Sequence, residues 1–163
     1  MAQQEPDPVV AKHSSDIVER EVRIAARPET IFPFLTDPAK MTLWKGIRAD
    51  LDPRPGGVYR VDIDGRNIAH GEYLEIVPYS RVVFTWGWEG DDSPLPPGSS
   101  TVEITLVADG DGTIVRLRHL GLPAEAQASH AEGWDHFLPR LVVAAEGRDS
   151  EPDPQANPSQ QQN

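Results

Sequence analysis

The sequence predicts an α+β fold, with a curved antiparallel sheet of about six or seven strands wrapped on one long C-terminal helix and two short helices after the first strand. Three observations predict it. Short segments of alternating or aromatic-rich apolar residues recur between turn signals from residue 47 to residue 120. The apolar period then lengthens to that of a helix from Pro123 to around Glu146. Two proline-opened helical turns interrupt the series directly after its first strand.

In chain order, Ile17 to Ala25 alternates. Val18, Arg20, Val22 and Ile24 share the mostly apolar parity and Glu19, Glu21 and Arg23 the other, as in a half-buried strand. Pro28 suits a first helical position, where an N–H would lack a partner anyway, and Ile31, Phe34 and Leu35 follow at helical spacing. Pro33 limits that helix, and Asp37-Pro38 opens a second one carrying Met41 and Trp44. Strands follow over residues 47–52, 58–63, 67–77, 81–88, 100–108 and 113–120. They are punctuated by Pro55-Gly56-Gly57, the hairpin signal Asp64-Gly65, Pro78-Tyr79-Ser80, a polar loop over 89–99, and Asp109-Gly110-Asp111-Gly112. In the last helix Trp134, Phe137, Leu138, Leu141, Val142 and Ala145 share one face. Ser129 with Glu132 three residues on has the form of a capping box, which places the main helix start at 129. Pro139 has no N–H to give the carbonyl of Asp135, so a kink is expected there.

The 163 residues suit one domain, and the absence of cysteine excludes disulfides, thiolate metal sites and cysteine nucleophiles. A net charge of −11, from 15 basic and 26 acidic residues, argues against nucleic acid and anionic membrane surfaces as partners. No apolar run approaches the roughly 20 residues of a membrane span, and the first residues lack the basic and apolar regions of a leader. A cytoplasmic protein is therefore expected. Residues 1–15 and 147–163 are polar and rich in proline or glutamine, so they are expected to be disordered around a folded unit at 16–146. No cofactor or metal is expected. There is no Gly-x-Ser-x-Gly elbow, phosphate-cradling glycine loop or dinucleotide fingerprint. His130 and His136 fall on different helix faces, Glu132 and His136 alone do not make a metal site, and Asp109 to Gly112 reads as turn chemistry.

A long helix laid on a strongly bent sheet cannot touch all of it, and the gap becomes a pocket lined by aromatic and aliphatic side chains. Phe84, Trp86 and Trp88 share a strand face that would look into it, with Trp134 and Leu138 opposite on the helix. Tyr59 points the same way with Val61 and Ile63, and its hydroxyl needs a partner there. His119 turns inward because Arg116 and Arg118 take the solvent parity. Trp44 either closes the mouth of the cavity or plugs the core. Ordinary core packing is the plainer reading of the aromatic rings, as a structural histidine bonded to backbone is of His119, and for Trp44 the two readings stand level. His70 and Glu72 share a strand face, read here as a surface pair, although inward they would form an acid–base pair.

An ordered set of motifs carries a further indication. Thr36-Asp37-Pro38 through Trp44, Arg54-Pro55-Gly56-Gly57, Gly71 to Pro78, Arg81 to Trp86, Thr113 to Leu122 and Gly133-Trp134 together resemble the Hsp90-activator-homologue branch of the START/Bet v 1-like (SRPBCC) superfamily. The resemblance implies a helix-grip fold with a cavity between sheet and long helix. Members include ligand binders, cyclases, aromatases, hydrolases and a co-chaperone domain, so the fold does not decide the activity. The leading expectation is non-catalytic binding of a hydrophobic, aromatic or lipid-like small molecule. The alternative is a cyclase, dehydratase or hydrolase using His119, Tyr59 or the His70–Glu72 pair as acid or base. A co-chaperone of an Hsp90-type ATPase is the least favoured reading, since in that family member a separate domain precedes the comparable one. The strand edges leave room for a homodimer.

Overall fold

The structure, a computed structural model, describes residues 17–147. The terminal segments expected to be disordered fall, save Gly147, outside the described residues. The alternating and aromatic segments form β1 (Ile17–Ile24), β2 (Arg48–Leu51), β3 (Val58–Asp62), β4 (Ile68–Val77), β5 (Arg81–Trp86), β6 (Ser100–Asp109) and β7 (Gly112–Leu120). All seven join one antiparallel sheet in the order β1-β7-β6-β5-β4-β3-β2. The last hairpin thus returns to lie beside the first strand, and the meander runs out to a short edge at β2.

Where two short helices were expected there are three turns: α1 (Pro28–Ile31), α2 (Pro33–Thr36) and α3 (Pro38–Met41). Each opens on a proline. Pro33 cannot donate into the preceding turn, so it splits the first expected helix in two. The long helix α4 (Ala124–Ala145) has 22 residues and is continuous through Pro139. It begins at Ala124 rather than Ser129. Pro123 stands at its N-cap without a side-chain cap, and the Ser129 hydroxyl donates to the carbonyl of Ala126 inside the first turns, so no capping box forms.

The curvature has a local cause in β4. Residues Ile68–Glu72 pair with β3, whereas Tyr73–Val77 pair with β5, and the register slips between Tyr73 and Glu75. Gly71 sits at this bend. A Cβ there would stand 1.9 Å from the Thr85 carbonyl oxygen, so only glycine lets the strands approach. The concave face that results is apolar, with Tyr59, Val61, Tyr73, Phe84, Val102, Ile104 and Leu117 all buried. Onto it α4 lays Trp134, Phe137, Leu138, Leu141 and Ala145 at helical spacing. Two buried bonds hold the three short turns, one among themselves and one to this floor. The Trp44 indole N–H donates to the Phe34 carbonyl at 3.0 Å, and the Tyr73 hydroxyl donates to the Leu35 carbonyl at 3.0 Å.

α4 is tied to β1 at the rim, where Arg20 donates twice to the Asp135 carboxylate, at 2.6 and 3.2 Å. The convex face carries a ladder of charges across five strands: Glu19 to Arg118 (3.1 Å), Arg118 to Glu103 (3.3 Å), Glu103 to Arg81 (3.7 Å) and Arg81 to Glu75 (3.1 Å). No described helix is long and apolar enough to cross a membrane.

Candidate functional site

Helix and sheet part company at the N-terminal half of α4, and a cleft of about 510 Å³ opens there. Its apolar wall is Ile63, Trp86, Trp88, Trp134 and Phe137, and its polar groups come from Lys45, Asp64, Asn67, Ser93, Ser129 and His130. Gly133 completes the helix side. A Cβ built on it meets nothing within 4 Å, so α4 presents bare backbone to the cleft at that position.

Lys45 is the unexpected member. It follows α3 in a tight turn whose next residue, Gly46, has φ +85 and no space for a Cβ, which would lie 2.6 Å from a Val61 methyl. The chain is therefore pressed against β3 and the lysine is directed inward, leaving it 1% exposed. Its Nζ donates to the Tyr59 hydroxyl at 3.0 Å and lies 4.0 Å and 4.4 Å from the ring centroids of Trp86 and Trp134. Among the described residues no carboxylate pairs with it. Burial holds its amine well below the usual lysine range, while the two indole faces offset part of that desolvation. Burial, with a smaller contribution from Tyr73, pushes the Tyr59 hydroxyl well above its ordinary value.

His119, behind this wall, and His130, in the cleft lining, are each held in one tautomer by two hydrogen bonds. The Trp134 indole N–H donates to His119 Nδ1 at 3.1 Å, so the His119 proton sits on Nε2 and is donated to Ser100 Oγ at 2.8 Å. Ser100 Oγ in turn donates to the Trp86 carbonyl at 2.8 Å. Burial, then the charges of His130 and Lys45, lower the His119 value to about 3. His130 repeats the arrangement. Its Nε2 accepts from the Trp88 indole at 2.9 Å and its Nδ1–H donates to the Ala126 carbonyl at 2.8 Å. Burial lowers its value too, against the bond to Ala126, which raises it. One donor is left over: the Trp86 indole N–H is buried and has no acceptor among the described residues.

Of the residues singled out from the sequence, Trp86, Trp88 and Trp134 stand in the cleft wall. His119 lies directly behind Trp86 and Trp134, with ring centroids 5.7 and 6.0 Å away, and Tyr59 lies behind Lys45. Phe84 stacks on Tyr59 at 4.0 Å deeper in the core, where Leu138 is also buried. Trp44 is buried and held to Phe34, so of the two places open to it, the structure gives it the core. His70 and Glu72 lie outside. His70 Nδ1 faces Glu89 Oε2 at 2.9 Å beside Arg60, and Glu72 is exposed. Sequence reasoning missed Lys45, His130 and Gly133. For Lys45 no local signal exists, since a lysine after a short turn is ordinarily solvated. For Gly133 the signal is a glycine in the middle of a helical pattern.

Residues 25–146 match the family described as activator of Hsp90 ATPase homolog 1-like protein. The chain is similar to an AHSA1-like protein from Rhizobium etli solved in solution. The two are 47% identical, the match covers 85% of this chain and 86% of that one, and the TM-score is 0.68. It is similar to CalU16 from Micromonospora echinospora at 26% identity, covering 80% and 76% with a TM-score of 0.65. It shares the fold of the Aha1 dimer from Colwellia psychrerythraea, at 19% identity, covering 82% and 98% with a TM-score of 0.71. No curated protein matches the chain.

Proposed function

The chain belongs to the activator of Hsp90 ATPase homolog 1-like family, and from that premise we propose that it binds a hydrophobic or aromatic small molecule, without transforming it, in the cleft between the sheet and α4. The observation that carries the reading is the cleft itself. Its volume of about 510 Å³ falls within the range of small-molecule sites, and three tryptophans and Phe137 offer flat apolar area around a few polar groups.

Catalysis fits less well. The groups expected to act as acid or base do not meet in the cleft: both nitrogens of His119 are engaged, the Tyr59 hydroxyl is taken by Lys45, and His70 is on the other face. The test is a thermal-shift and native mass-spectrometry screen of planar apolar compounds. A ligand present at about 100 times its Kd raises stability by roughly 2.7 kcal/mol. A screen in which no compound raises the melting temperature or quenches the cleft tryptophans refutes the reading. The family description makes a chaperone ATPase assay the natural companion, with unchanged rates expected. The Colwellia relative, solved as a dimer, makes a homodimer the assembly to test by sedimentation. A cytoplasmic location belongs to the same reading and is checked by cell fractionation.

A further inference from the structure

We propose that the ligand is a planar apolar molecule bearing one anionic oxygen group, such as a carboxylate, and that Lys45 and the Trp86 indole N–H receive that group at the inner end of the cleft. This rests on the binding role proposed above and narrows it to a chemical class.

Two groups in the same wall lack the same thing, an acceptor. A lysine ammonium offers three hydrogens, and one hydroxyl, that of Tyr59, meets it here. Trp86, 3% exposed, has a buried N–H with no acceptor among the described residues. A buried polar hydrogen left unpaired is rare in folded proteins and costs about 1–3 kcal/mol. Neither the histidines nor Asp64 meets the need. His119 and His130 have both ring nitrogens engaged, and Asp64 sits on the hairpin turn, where its carboxylate accepts from the Arg66 and Asn67 backbone and the Asn67 side chain. Lys45 Nζ lies over the face of Trp86, 4.0 Å from the ring centroid, and the indole N–H points out along the ring plane, so a group with two oxygens would offer one to each donor.

The charge of the ligand follows from the surroundings. Among the described residues Lys45 has no anionic partner, and its other neighbours are Tyr59, Trp86, Trp134, His119 and His130. In so dry a place an ion pair with good hydrogen-bond geometry gains far more than at a surface. A neutral carbonyl would meet the hydrogens but would not favour the charged form of the amine, as an anion does. When the amine is uncharged in the empty cleft, the pair forms with uptake of one proton from solvent. Lysine would then be a charged partner for the ligand and not a nucleophile.

The test uses the full chain, calorimetry at pH 7, and two probes of nearly equal shape, anthracene-2-carboxylate and anthracene-2-carboxamide. The carboxylate is expected to bind at least tenfold more tightly. In Lys45→Met that preference is expected to vanish, and Trp86→Phe is expected to weaken both probes. The comparison on the unaltered protein is decisive even if a variant does not fold. Equal affinities, or tighter binding of the amide, overturn the anionic assignment and leave cleft binding intact. Binding of neither probe overturns both.

Discussion

Lys45→Met tests the electrostatics of the cleft most directly. The lysine is 1% exposed, and burial lowers its pKa well below the ordinary 10.5, so over the window between those two values the folded chain holds the amine less protonated than the unfolded chain does. Between the lowered folded value and 10.5 the unfolded state therefore binds one more proton. Stability then rises with pH, by about 1.4 kcal/mol per unit. Within that window, read below pH 10, Lys45 therefore adds stability as the pH rises. The range stops below 10 because Tyr59 and Tyr73, whose values are raised in the fold, act with opposite sign above that point. Methionine has similar length and no charge, so the variant is expected to lose the slope and to gain most over the parent at the lowest pH, where burying the amine costs most. Urea denaturation of both proteins at several pH values measures both quantities. Parallel profiles would refute the reasoning and mean that Lys45 stays charged, held by the indole faces of Trp86 and Trp134 and by the Tyr59 hydroxyl.

Three further outcomes are expected. His119, with a folded value of about 3 against an ordinary 6.5, binds fewer protons than in the unfolded chain between those limits. Its contribution is thus full above pH 6.5 and lost on acidification, by roughly 2 kcal/mol from pH 7 to 5; ring NMR shifts that titrate between pH 7 and 4.5 would contradict this. Ser100→Ala leaves the His119 Nε2–H buried without an acceptor, so denaturation should show a loss of about 1–3 kcal/mol. Gly133→Ala replaces a mid-helix glycine whose Cβ would meet nothing within 4 Å, so stability should rise by about 1 kcal/mol while Gly133→Leu fills the cleft and weakens ligand binding in the same calorimetric assay.

The fold was legible because each element carries its own period. The parity of Val18, Val22 and Ile24, the Asp64-Gly65 turn and the Trp134–Leu141 stripe each dictate a face or a connection by local chemistry alone. Helix starts were less legible. Ser129 and Glu132 have the spacing of a capping box, yet the favourable residues at 124–128 extend α4 past them and the serine becomes an interior residue. The aromatic wall was visible in outline from Trp86, Trp88 and Trp134, because strand and helix parity aim them inward. Lys45 was not. A lysine after a short turn is ordinarily solvated, and its burial follows from the close approach of Gly46 to β3, a tertiary contact that no local pattern encodes. The pairing of His130 with Trp88, 42 residues apart, was hidden for the same reason.

The row of alternating charges from Glu19 to Glu75 bears on how two copies could meet. A second sheet laid flat on that back would strip water from every member, at several kcal/mol per dehydrated ion, with little greasy surface hidden in exchange. Back-to-back stacking is thereby disfavoured, and a companion would have to dock along the rims at β1 or β2, or on the side where the cleft opens.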